Sequence, residues 1–391
     1  MSDSKSKKPA NTAFKQQRLR AWQPILTPKT VLPTFFLIGA IFIPIGIGLY
    51  VASDKVQELS FDYTDCPTKP TGFSSPITGW QYDAASKNCT IFFTVPSTFT
   101  PPVFMYYRLT NFYQNHRRYV KSFDANQLKG DLTAPASKNC DPLLTVSAGT
   151  NVNVGGQSVP ASGVTVGNSQ IGPWYYPCGL IANSMFSDEI SDLSCADGTG
   201  ASCSNQPAYA FSETGIAWPT DKDRYKQSQY LTQYSSDDLA KILVPPPLWQ
   251  TAWPDKWGGG YNSTNFPDLH NWERFQVWMR TAALPTFRKL WGRNLNEKLA
   301  PGTWKIVIHD SFDVGRFEGT KSVVISTASL LGGKNSFLGS AYITVGVICW
   351  VLGLAFLLRH MIKPRKLGDH TYLSWNQPQA AANQPRDAGH Y

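Results

Sequence analysis

Three histidines, His116, His270 and His309, lie in the long middle stretch of a 391-residue chain, and a metal centre or a general base would start from them. No two of them stand at ligand spacing, and HExxH is absent, so they read as structural histidines. The acidic pairs Asp221/Asp223 and Asp237/Asp238 are the next candidates, for glycoside hydrolysis or Ca²⁺ binding. The stretch DKDRYKQSQYLT nevertheless lacks the turn glycine and the closing glutamate of an EF-hand loop. GxSxG, CxxC and GxxxxGK[ST] are absent, and Gly332-Gly333-Lys334 lacks the upstream glycine and the following hydroxyl of a phosphate loop. No residue nominates itself for catalysis, a cofactor or a metal.

Cysteine chemistry is better populated. Six of seven cysteines (Cys66, Cys89, Cys140, Cys178, Cys195 and Cys203) fall in the middle stretch, an even count suited to an oxidising compartment. Six cysteines allow fifteen pairings, and their order along the chain does not choose among them. Cys195 with Cys203 is the easiest closure, because CADGTGASC offers Gly198 and Gly200 for a tight loop. Two N-glycosylation sequons, Asn88-Cys89-Thr90 and Asn262-Ser263-Thr264, share the region. Asn88 is the weaker acceptor, since Cys89 is itself a disulfide candidate.

These residues must be positioned by what brackets them. TVLPTFFLIGAIFIPIGIGLYVAS is a run of 24 uncharged residues between Lys29 and Asp54, and NSFLGSAYITVGVICWVLGLAFLL is another 24 between Lys334 and Arg359. At ~1.5 Å per residue each helix reaches ~36 Å, enough for a hydrocarbon core of ~30 Å with some tilt. A buried core helix of this length seldom lacks every charge. A cleaved signal peptide would have an apolar core of ~7–15 residues and a short leader, whereas this leader has 29 residues.

Charge sets the orientation. Residues 1–30 carry seven Lys or Arg against Asp3, and residues 359–391 carry five against Asp369 and Asp387. The net charge of +9 therefore lies wholly in the two tails. Basic flanks favour the cytosolic side, so both termini are cytosolic and a nucleic-acid partner loses its support. The resulting plan is a cytosolic basic segment 1–30, a transmembrane helix 31–53, a lumenal or extracellular domain 54–334 with disulfides and glycans, a transmembrane helix 335–358 and a cytosolic tail 359–391.

Within the middle domain, Cys89–Phe99, Val103–Thr110, Thr303–Phe312 and Lys321–Leu331 read as strands. In the third, Trp304, Ile306 and Ile308 alternate with Lys305, Val307 and His309, the period-two pattern of a half-buried strand. Helical signals occupy Asn111–Phe123, Ala182–Ile190, Ser236–Leu243 and Asn271–Asn294, the last broken at Pro285. The fold class is a membrane protein with two transmembrane helices and a large, mainly antiparallel β ectodomain with helical insertions. Ser147–Gln170 has almost no large apolar side chain and reads as an exposed loop.

Neither span contains an ionisable residue of the kind that marks a transport path. What they offer is close packing. Gly339, Gly346 and Gly353 recur every seven residues and stay on one helical face. Small residues let another helix approach, either a partner's or the chain's own first span. That span has Gly39, Gly46, Gly48 and Ala52, with Pro44 placed to kink it. In the N-terminal stretch, Phe14, Leu19 and Trp22 form no amphipathic stripe and Pro24 stops a helix. Arg18, Arg20 and Trp22 are candidates for a cytosolic protein contact, against the simpler attraction of basic residues to an anionic leaflet.

NTAFKQQRLRAWQPILTP (11–28), IPIGIGL (43–49), PCGLIANSMFSD (177–188), VWMRTAALPTFRKLW (277–291) and GGKNSFLG (332–339) together resemble the ligand-effect-modulator family, accessory β-subunits of the phospholipid flippases, which are type IV P-type ATPases. The motifs keep their order from residue 11 to about 365, with the weakest correspondence in Ser147–Gln170 and beyond Leu367. The resemblance implies a noncatalytic glycoprotein that binds the catalytic ATPase, supports its folding and exit from the endoplasmic reticulum, and supports its lipid-moving cycle. The expected place is an internal or surface membrane, the endoplasmic reticulum, Golgi or endosome, or plasma membrane, and the sequence does not choose among them. The resemblance also implies Cys66 paired with Cys89 and Cys140 with Cys178, leaving Cys195 with Cys203. The missing DKTGT phosphorylation motif agrees with a noncatalytic role. A lumenal receptor or cargo adaptor, and a trimeric channel with two spans per subunit, are the alternative readings.

Overall fold

A computed structural model describes residues 10–20, 27–68, 75–132, 138–147, 150–154, 157–161, 163–166, 169–328 and 332–364. The chain divides into two units, residues 1–52 with 335–391, and residues 53–334.

The first unit holds two long apolar helices, Pro28–Asp54 and Phe337–Ile362. Both are long and apolar enough to cross a membrane, and little of either is buried within the protein. Pro33 and Pro44 sit inside the first helix. Each removes a backbone donor, so Pro44 leaves the Ala40 carbonyl without its usual partner one turn on.

The second unit is built on antiparallel pairing. One sheet orders its four strands as β1 (Glu58–Asp62), β16 (Lys321–Thr327), β4 (Val103–Leu109) and β14 (Phe287–Asn294). The other holds β2 (Ile77–Asp83), β3 (Asn88–Val95), β15 (Gly302–His309), β11 (Leu193–Cys195) and β12 (Ala208–Tyr209), with β10 (Glu189–Ile190) also on β15. Alternation positions the core. Trp304, Ile306 and Ile308 of β15 stand opposite Phe93, Ile91 and Cys89 of β3, and all six are fully buried. Val103, Met105, Tyr107 and Leu109 do the same for β4. The sheets share one core, with Phe61 of β1 against Phe93 of β3 at 5.0 Å between ring centroids. All seven residues of β16 are buried, the pattern of a strand covered on both faces.

Four expectations give way. The segment Asn271–Asn294 is helical only over Glu273–Met279. Past Pro285 the chain becomes β14, because Phe287, Lys289 and Trp291 turn inward with a period of two, and the strand pairs along β4 with a register shift at Trp291. A lysine at an inward position hid that pattern from a hydropathy reading. Ser147–Gln170 contains two hairpins, β5 (Asn151–Val154) with β6 (Gln157–Pro160) and β7 (Val164–Val166) with β8 (Ser169–Ile171). Its valines carry strand propensity without the bulk that marks a core strand. A short parallel pair, β9 (Trp174–Tyr175) with β13 (Leu243–Val244), completes the described strands. The helix expected over Asn111–Phe123 shrinks to Arg117–Val120, and in place of one over Ala182–Ile190 a single turn spans Leu180–Asn183 while Glu189–Ile190 joins a sheet.

Three disulfides link Cys66 to Cys89, Cys140 to Cys178 and Cys195 to Cys203. Closed loops of these lengths stabilise chiefly by restricting the unfolded chain, typically by ~2–4 kcal/mol each. Cys349 is free.

Candidate functional site

The helix pair is organised by what it omits. Its buried residues within the first unit are Gly39 and Gly46 on one helix and Gly339, Gly346 and Gly353 on the other. A methyl placed on Gly46 would stand 2.9 Å from the Gly339 carbonyl oxygen, and one on Gly39 would stand 2.9 Å from the Gly346 carbonyl oxygen. The helices thus run antiparallel with glycine facing glycine. Rings flank the seam, Phe36 with Trp350 at 6.1 Å, Phe42 with Tyr342 at 5.1 Å and Phe35 with Phe356 at 5.8 Å. The Trp350 indole donates to the Phe36 carbonyl at 3.2 Å. The glycine face offered by the sequence to a partner's helix is therefore occupied by the chain's own first span, since only residues without side chains admit this approach. Leu37, Ile41, Ile45, Ile47, Val351 and Leu354 point away from the seam and are exposed.

The remaining sequence candidates are scattered. Arg18 and Arg20 are exposed, and Arg18 donates to the Asn11 side chain at 2.5 Å. Trp22 lies outside the described residues, as do Arg365, Lys366 and Arg386. Asn262 is exposed in a turn where its side-chain oxygen accepts from Thr264 N at 2.8 Å and Asn265 N at 2.9 Å. Asn88 is half-buried inside β3, its amide oxygen 3.3 Å from His309 Nδ1. His270 Nδ1 contacts the Tyr225 carbonyl at 2.8 Å. Asp221 pairs with Arg224 and Arg280, and Asp238 accepts at the Ser235 cap of a short helix. Among the described residues no group of histidine, cysteine and carboxylate converges as a metal site would require.

Sequence reasoning misses a buried cluster of charges. Lys321, at the start of β16, is almost wholly buried and donates to Asp188 Oδ2 at 2.8 Å, to Asp310 and to the Phe312 carbonyl at 2.7 Å. Asp188 is buried too. Besides Lys321 it accepts from the Tyr63 hydroxyl at 2.8 Å and from the backbone of Ser311 and Phe312 at 2.6 Å each. Burial pushes the Asp188 carboxyl up, and the Lys321 charge together with these donors works against that rise. Burial first, and then Asp188, hold the Tyr63 hydroxyl well above its ordinary range. Every member of the cluster is satisfied from within the protein, so it fastens the ends of the two sheets and presents no reactive group. Lys289 behaves similarly, its ammonium donating to Val277 O at 3.0 Å, Trp278 O at 2.8 Å and Arg280 O at the end of the helix Glu273–Met279. Burial and then the Arg280 charge draw it down to about 7. A lone lysine leading an apolar run, as in KSVVIS, is the faint signal that finds Lys321.

Three disulfides staple the domain, its buried ion cluster is satisfied from within, and no metal-ligating group converges among the described residues. Residues 49–366 match the family described as LEM3 (ligand-effect modulator 3) family / CDC50 family. The sequence is 40% identical, over 95% of its length and 90% of the other's, to the phospholipid-transporting ATPase accessory subunit CRF1 of Saccharomyces cerevisiae. It is 42% identical to cell cycle control protein 50A of Mus musculus, over 91% of this chain and 90% of that one. With ALA-interacting subunit 3 of Arabidopsis thaliana it shares 36% identity, over 95% of this chain and 92% of that one. Matches of this extent leave one conclusion: the chain belongs to the LEM3/CDC50 family.

Proposed function

We propose that this chain is the noncatalytic accessory subunit of a phospholipid-transporting P-type ATPase, assembling with it as a heterodimer and supporting its folding, its exit from the endoplasmic reticulum and its translocation cycle. The observation that carries the reading is near full-length similarity to proteins named as accessory subunits of such ATPases. A disulfide-stapled domain on a paired-helix anchor suits a partner that contributes surface and leaves the chemistry to another chain.

In this reading the basic flanks lie in the cytosol and the domain 54–334 lies on the exoplasmic side, where the disulfides form and Asn262 carries a glycan. Asn262 serves better than Asn88, because an exposed turn admits a transferase and a paired strand does not. The stretch around Arg18, Arg20 and Trp22 makes a cytosolic contact with the ATPase. The coat of Leu37, Ile41 and Val351 meets its membrane helices, with the glycine seam holding that coat in shape. A subunit favours one ATPase conformation only to the extent that it binds the conformations unequally.

Purification of the tagged full chain in mild detergent tests this. Recovery of a multi-span ATPase at near-equal stoichiometry is expected. Homo-trimers with conductance in bilayers, or a soluble lumenal ligand without an ATPase, would replace the proposal.

A further inference from the structure

Where the two helices end together, near Pro28 of the first and Lys363 of the second, they leave a cleft of about 410 Å³. That volume falls within the range of small-ligand sites. Thr27, Pro28, Val31 and Leu32 line one side, and Phe356, Arg359, His360 and Lys363 line the other. No carboxylate is among them. Polarity is graded along the helix axis. Phe356 lies seven residues before Lys363 on one helix, or ~10 Å deeper at the helical rise. Val31 and Leu32 lie likewise deeper than Thr27. The mouth is cationic and the floor apolar.

We infer that this cleft binds a phospholipid with an anionic headgroup, drawn from the leaflet in which these helix ends lie. The phosphate accepts from Arg359, His360 and Lys363, and the acyl carbons follow Val31, Leu32 and Phe356 toward the bilayer centre. Two features favour a lipid over free phosphate. An inorganic ion would leave the apolar floor of Val31, Leu32 and Phe356 unfilled, and helices that span a bilayer place this cleft within reach of lipid. Basic residues complement the negative end of the second helix, and three of them, Arg359, His360 and Lys363, line this one cleft with no acidic residue in its lining. The inference rests on the two helices spanning a bilayer and is independent of assembly with an ATPase.

The test reconstitutes the full chain in phosphatidylcholine bilayers with trace photoactivatable phosphatidylserine or phosphatidylcholine, and maps the labelled peptides. Phosphatidylserine is expected to label segments 27–32 and 356–363 severalfold more than phosphatidylcholine. Lys363→Gln should reduce that preference by up to about fivefold, the effect of one cation near a membrane surface. Lys29→Gln removes the same charge from the exposed Lys29, which lies outside the cleft, and should change it little. Arg359→Lys with Lys363→Arg keeps the charge and should keep the preference, which guards against a variant that merely inserts badly. Equal labelling by the two lipids, or equal effects of the two glutamine variants, overturns the inference in favour of diffuse surface charge. Abolition of the preference by millimolar inorganic phosphate overturns it in favour of a free anion. Failure to recover an ATPase with the same protein would touch only the assembly proposal.

Discussion

The two units hold themselves together by opposite means. In the helix pair the contact is made where side chains are missing, and five glycines form its buried surface. In the domain the core is filled by the largest side chains available, among them Trp249, Trp257, Trp278 and Trp304, each essentially inaccessible. The difference follows from the solvent. In water, burying an aromatic side chain supplies ~2–3 kcal/mol of transfer free energy, so bulk stabilises. In lipid that term vanishes between helices, and close approach of backbones is what remains. The domain can also include an ion cluster, because the cluster's polar atoms are satisfied where water is excluded, whereas neither span contains Asp, Glu, Lys, Arg or His.

The largest effect should come from the cluster. Lys321→Met would leave Asp188 and Asp310 beside a vanished charge, and breaking a buried pair from one side costs ~3–5 kcal/mol. We expect the full chain to fail quality control or to melt far below wild type, read by its tryptophan fluorescence. Asp188→Asn added to Lys321→Met should recover part of the loss. Equal melting of wild type and Lys321→Met would show that the cluster holds nothing.

A substitution in the seam should act next most strongly and by a different route. A methyl at Gly346 would stand 2.7 Å from Ile43 Cγ1, one at Gly339 2.7 Å from the Tyr50 backbone nitrogen, and one at Gly353 no nearer than 3.3 Å to the Phe35 and Phe36 side chains. Backbone yields less than a side chain, so alanine should disturb the pair in the order Gly339, Gly346, Gly353. Leucine at Gly346 should cost ~1–3 kcal/mol, the range for overpacking. Cross-linking between cysteines placed on the two helices measures the pair, and co-recovered ATPase measures its consequence. A flat series would detach packing from the seam, and intact ATPase recovery with Gly346→Leu would detach the seam from assembly.

How much of this the residues disclose depends on the unit. The spans are legible because 24 uncharged residues in a row have few other uses. β15 is legible because Trp304, Ile306 and Ile308 alternate without interruption. β14 is not, since Lys289 occupies an inward position and finds three carbonyls at the end of the preceding helix, Glu273–Met279, a pairing that hydropathy does not show. The Lys321 cluster is hidden by distance along the chain. Asp188, Asp310 and Tyr63 are far apart in sequence, and only sheet topology brings them to one place. The glycine repeat shows that a helix docks there, but which helix is a property of three dimensions.

The sequons allow a finer test within the domain. Asn262→Gln should remove a glycan-dependent mobility shift, and Asn88→Gln should leave it, since Asn88 is half-buried in a paired strand. Loss of the shift in the Asn88 variant alone would reverse the assignment, and no shift in the wild type would remove the exoplasmic placement of that turn.

The smallest effect should be local and dependent on pH. Asp197 lies inside the loop closed by Cys195 and Cys203, where its carboxylate accepts from the backbone of Thr199 at 2.9 Å, Gly200 at 2.8 Å and Ser202 at 2.6 Å. Those bonds, led by the one from Ser202, hold its carboxyl far below the ordinary range. A depressed carboxylate stabilises the folded loop fully above its unfolded pKa of ~3.9, and the contribution is lost as pH falls toward the folded value. Amide exchange at Thr199, Gly200 and Ser202 should therefore be as well protected at pH 5 as at pH 7 and lose protection progressively below pH ~4, with Asp197→Asn less protected throughout and insensitive to acid. Protection that instead weakened between pH 7 and pH 5 would mean that a group other than this carboxylate anchors the loop.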